Sequence, residues 1–75
     1  MTKVRDINLI SQFGSNLKKL REGKELSQED LANDADIPIN QVGRIERGEI
    51  NPSLSTLNSI AKALKLRLAD LLEGL

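Results

Sequence analysis

Seventy-five residues with no cysteine and no histidine make one domain at most, without disulfides or thiolate metal ligands and without the usual general base near neutral pH. Eleven basic and eleven acidic side chains cancel, so the chain lacks the overall basic footprint of most nucleic-acid binders, and a single aromatic, Phe13, argues against stacking on single-stranded bases. No apolar run approaches the length of a membrane span and residues 1–6 lack the apolar core of a signal peptide, so the expected compartment is the cytoplasm, with no membrane partner.

The neutral total hides a polarised chain. Residues 1–24 carry six basic groups against two acidic ones, and residues 25–37 carry five acidic groups and no basic one. Strand-like alternation is absent and helical spacing dominates. Ile10, Phe13, Leu17 and Leu20 fall three or four apart and predict a first helix, with Gly23 placed to end it; residues 1–8 are either a loose arm or an extension of that helix. Ser27 begins a second helix, its hydroxyl able to cap and the following Glu29 and Asp30 suited to the positive end of the helix dipole; Leu31, Ala32 and Ala35 face inward. A third helix opens near Pro38, whose fixed φ suits a first turn, and Gly48 stops it. Asn51-Pro52-Ser53 reads as a turn and a cap. Leu54, Leu57, Ile60, Ala61 and Leu64 form the stripe of a fourth helix, and Leu68, Leu71 and Leu72 that of a short fifth. The expectation is a single all-α domain over 1–75, a compact five-helix bundle.

The second and third helices, each about two turns and joined by a tight turn, have the spacing of a helix-turn-helix, in which the second member enters the major groove. Val42 and Ile45 point inward. Asn40, Gly43, Arg44 and Arg47 share the opposite face; Asn suits adenine, Arg suits guanine, and Gly43 would allow close backbone approach. Spacing alone leaves open a plain bundle whose polar face is merely wet.

Leu20-Arg21, Leu26-Ser27-Gln28-Glu29-Asp30-Leu31-Ala32, Ile45-Glu46-Arg47-Gly48, Asn51-Pro52-Ser53, Leu57 and Ile60-Ala61-Lys62-Ala63-Leu64 together resemble the Cro/repressor (Xre-type) helix-turn-helix family, over nearly the whole chain. The resemblance implies a lambda-repressor-like fold and a regulator that binds double-stranded DNA, as phage repressors and restriction–modification controller proteins do. It implies base contacts from Ile39, Asn40, Gln41 and Arg44, phosphate contacts from Ser27, Gln28, Arg47 and Asn51, and a structural ion pair between Arg21 and Glu46. A free N–H at the start of the second helix independently favours an anion there. Two positions depart from the family pattern. Asp36 stands where the turn usually has Gly, which predicts a left-handed Asp, and Pro38 stands where Ser or Thr is usual, which removes a hydroxyl cap.

Neither an enzyme nor a metal site is expected: the acids Glu29, Asp30, Asp34 and Asp36 follow the solvent side of one short helix and lack a calcium-loop pattern, and no cofactor is implied. A homodimer on two half-sites of a palindromic operator is expected, because one short reading helix gives limited specificity and Leu66, Leu68, Leu71, Leu72 and Leu75 offer more apolar surface than a short last helix hides. The acidic second helix is a candidate contact for RNA polymerase. The rival reading is an antitoxin-like or co-regulatory protein-interaction module on the same scaffold.

Overall fold

The computed structural model describes residues 4–75, so the part of the expected arm at residues 1–3 lies outside the described residues. Residues 4–6 are not helical, and α1 (Ile7–Gly23) begins where Asp6 accepts a hydrogen bond from the Leu9 N–H at 3.0 Å. Then follow α2 (Gln28–Ala35), α3 (Ile39–Glu46), α4 (Leu54–Ala63) and the single turn α5 (Leu68–Leu71). Among the described residues the architecture is five-helix and all-α, as the sequence implies. Among the described residues no helix is long and apolar enough to cross a membrane.

One apolar centre holds the elements together. Phe13 and Leu17 of α1, Leu31, Ala32 and Ala35 of α2, Val42 and Ile45 of α3, Ile60 and Ala61 of α4, and Leu64 and Leu71 beyond it form a continuous buried cluster. Helix α3 packs against both α1 and α2, and α4 joins α2 to α5. The α1–α3 approach is close enough to require Gly14. A Cβ there would sit on the Ile45 carbonyl oxygen and 2.7 Å from that of Glu46. The sequence reading had no account of Gly14. It also placed Leu54 in the α4 stripe, whereas Leu54 is exposed in the first turn.

The helix ends follow one rule. Each of α1 to α4 is closed by a left-handed residue, in turn Glu25, Asp36, Gly48 and Lys65, with φ between 58° and 72°. The next N–H then donates back across the last turn: Leu26 to Arg21 O, Ile37 to Ala32 O, Glu49 to Arg44 O and Leu66 to Ala61 O, all at 2.8–3.1 Å. This is the Schellman closure, which satisfies carbonyls that a helix end otherwise leaves free. Asp36 adopts the left-handed conformation expected of it (φ 58°, ψ 46°). Gly23 does not have that role; it is still helical, and Glu25 takes the left-handed position two residues on.

Candidate functional site

Helix α3 divides into two faces. Val42 and Ile45 are fully buried, while Ile39, Asn40 and Arg44 are exposed and Gln41 is half-buried. The helix opens on Pro38 as N-cap (φ −62°, ψ 142°), without a side-chain cap. Proline has no hydroxyl to offer, so Ile39 and Asn40 start the helix uncovered.

What fixes the attitude of α3 is polar. Arg21 of α1 donates from Nε to Glu46 Oε2 at 2.7 Å and from Nη2 to Glu46 Oε1 at 3.0 Å, both side chains being buried. Its third nitrogen donates to the Leu26 carbonyl at 2.8 Å. The hydrogen bond to Glu46 raises the Arg21 pKa above its already high ordinary value. Gln28 completes the cluster by donating from Nε2 to Glu46 Oε1 at 3.0 Å. Charge buried in this way is tolerable only when its hydrogen-bonding capacity is met, and among the described residues no buried side-chain N or O lacks a partner.

The expected phosphate-binding residues are disposed unequally. Ser27 is exposed; its Oγ accepts from the Asp30 N–H at 2.9 Å, and the Asp30 carboxylate accepts from the Ser27 N–H at 2.9 Å, closing a capping box. The bond from the Ser27 N–H, and after it the Ser27 hydroxyl, holds the Asp30 carboxyl below its usual range. Gln28 is half-buried, and its amide is already engaged with Glu46. Asn51 is exposed and borders an apolar groove with Pro52.

Arg47, the C-cap of α3, lies back over Gly43; a Cβ added there would meet Arg47 Nη1 at 2.8 Å and Gln28 Oε1 at 3.5 Å. Gly43 therefore does not lie on the open face that helical spacing assigned to it. It is buried beneath these two side chains, because α2 and Arg47 both fold across that turn.

Three cationic residues meet around one acid that sequence reasoning did not single out. Glu49 Oε2 accepts from Arg47 Nε at 2.6 Å, and Glu49 Oε1 lies 3.7 Å from Arg44 Nε. The hydrogen bond from Arg47 depresses the Glu49 pKa. The Glu49 carbonyl accepts from Arg5 Nη2 at 3.0 Å, which brings the segment before α1 to the same surface.

The C-terminal leucines do not form one patch. Leu71 is a core residue, 1% exposed, because it closes the bottom of the bundle; it is not available at a surface. Leu66 and Leu68 are half-buried against the core. Leu72 and Leu75 line a groove together with Leu9, Ile10, Phe13, Asn51, Pro52 and Leu57. Exposed Ile7 and Leu9 of α1 extend this apolar side of the molecule. Among the described residues no cluster of His, Cys, Asp or Glu is placed to hold a metal ion.

The helix-turn-helix family model HTH_3 matches residues 17–71. Control protein C.BamHI of Bacillus amyloliquefaciens is 37% identical over 67 residues, which are 88% of this chain and 83% of that protein. The HTH-type transcriptional regulator DdrOP3 of Deinococcus deserti is 41% identical over 58 residues, but the chain spans only 45% of its length. The solved restriction-modification controller protein C.AhdI from Aeromonas hydrophila superposes with a TM-score of 0.81 at 38% identity, covering 88% of this chain and 98% of that one.

Proposed function

The chain belongs to the helix-turn-helix family, and on that footing we propose that it is a sequence-specific regulator of transcription that binds double-stranded DNA, built as a controller protein or small repressor. The carrying observation is the split of α3: a buried face locked to α1 by the Arg21–Glu46 pair, and a free face presenting Ile39, Asn40 and Arg44. A helix held this rigidly positions side chains in a groove without an ordering cost on binding.

In this reading Asn40, Gln41 and Arg44 read base edges in the major groove, Asn toward adenine and Arg toward guanine, and Ile39 meets a thymine methyl. Phosphates are held by the Ser27 hydroxyl, the N–H groups that open α2 near Gln28, Arg47 and Asn51. The protein acts as a homodimer on a two-fold operator, pairing through Leu72 and Leu75 of the groove. The work lies in binding, not catalysis, and its setting is the cytoplasm. Exposed Glu29 and Asp34 on α2 are the surface offered to RNA polymerase. The likeness to C.BamHI and C.AhdI along most of their lengths supports a controller protein.

Amide-shift mapping with a short duplex at low salt tests the reading. Perturbations gathered at residues 27–28, 39–44 and 47–51 are expected. Perturbations centred on the exposed acids of α2, or none at all, would contradict it.

A further inference from the structure

The ends of the four longer helices are built alike, and one of them is different at a single place. After the left-handed residue, α1, α2 and α4 continue with Leu26, Ile37 and Leu66, each half-buried against the core. That inward apolar residue is the usual partner of a Schellman closure. At the end of α3 the same position is Glu49. Its N–H still donates to the Arg44 carbonyl at 2.9 Å, and its own carbonyl is held by Arg5. The backbone is thus fixed on both sides while the side chain is turned outward, 47% exposed, onto Arg47 and Arg44.

This placement contributes little to folding. An exposed ion pair adds little to stability, whereas a buried leucine at this position would contribute more. Its consequence falls on binding. The Glu49 carboxylate occupies Arg47 with a 2.6 Å charge-assisted bond, the geometry an Arg makes with a phosphate oxygen. Resting on the DNA-binding reading above, we propose that Glu49 is a built-in substitute for a DNA phosphate: it holds Arg47 in the free protein and gives it up to the backbone when α3 docks. Glu49 therefore sets the overall affinity for DNA rather than its sequence preference. Arg47 must leave it on every duplex, and its charge opposes every phosphate alike.

Glu49→Gln removes the charge and leaves both backbone hydrogen bonds in place. For a matched and a mismatched duplex alike, binding should tighten roughly fivefold at low salt, and the salt slope should steepen by about one unit. In an Arg47→Ala background most of that gain should disappear. Asp34→Asn on α2 removes an acid that touches neither arginine, and should change affinity less. In the free protein the Arg47 Nε–H resonance should move on Glu49→Gln substitution, because its charge-assisted partner is lost. Weaker binding or a changed base preference in Glu49→Gln would overturn the proposal, making Glu49 a scaffold for Arg44. A gain undiminished without Arg47, or matched by Asp34→Asn, would also overturn it, as a general charge effect. Loss of the Arg47 signal change in the free protein would sink the exchange independently of DNA. If wild type and variant alike bind no duplex while that signal change persists, the DNA-binding reading itself is what fails, and the inference falls with it.

Discussion

The Arg21 guanidinium grips the Glu46 carboxylate through two hydrogen bonds, at 2.7 and 3.0 Å, inside the contact between α1 and α3. Removing one partner leaves a buried charge alone, so Arg21→Ala should cost about 3–5 kcal/mol. Replacing both, as in Arg21→Met with Glu46→Leu, should cost less than either single loss, because no charge is then stranded. Gln28→Ala removes only the third hydrogen bond on Glu46 and should cost roughly 1.5–3 kcal/mol, the range for bonds to charged groups. Thermal melts of the three variants give the order; an Arg21→Ala protein melting within a degree or two of wild type would refute the structural role.

Left-handed backbone at Glu25, Asp36 and Lys65 imposes a steric penalty that glycine avoids. Asp36→Gly should raise stability by up to ~1 kcal/mol, and Glu25→Gly and Lys65→Gly by similar amounts. The three sit at separate helix ends, so the gains should nearly add. Denaturant unfolding checks this, and a lower midpoint for any of them would count against the closure at that end.

Two glycines should respond oppositely to alanine. Gly14→Ala drives a methyl into the backbone carbonyls of Ile45 and Glu46, which cannot yield without separating α1 from α3; a loss of several kcal/mol, beyond ordinary overpacking of about 1–3, is expected. Gly43→Ala meets only the mobile end of Arg47 and an ordinary contact with Gln28. Helix propensity should then dominate and stabilise the protein by up to about 1 kcal/mol. The same variant moves Arg47 off its seat, so its DNA affinity should change while its melting point does not fall.

Pairing of two chains through the groove gives a further expectation. Leu75 is 40% exposed, so Leu75→Asp should leave the fold intact and shift the protein toward monomer. Leu71→Asp should unfold it, because Leu71 is core. Sedimentation at micromolar concentration should show wild type at about twice the 8.3 kDa chain mass; an 8.3 kDa wild-type species would remove the dimer from the account.

Much of this was legible in the sequence, for particular reasons. Val42 and Ile45 declare the inner face of α3 by spacing, Ser27 and Asp30 declare a helix start, and the departure at Asp36 declares its own backbone conformation. Glu25 and Lys65 were not legible as helix ends, since neither residue type favours the left-handed region and only the closing hydrogen bonds reveal them. Periodicity put Gly43 on the open face because it knows the axis of α3 and not the side chains that fold across it. Leu71 looked like interface for the converse reason: one turn of helix shows no pattern, and its burial depends on α4 and α1 beside it. Glu49 carried no motif signal; its meaning comes from Arg44 and Arg47 reaching it together.

Selection of bound sequences from a random pool of duplex DNA, run with wild type and Arg44→Ala in parallel, tests the central claim most directly. Wild type should enrich a palindrome whose half-sites lie about 34–36 Å apart, and Arg44→Ala should lose preference at one base position in each half-site. Enrichment of no sequence by the wild-type protein would contradict a DNA-reading α3.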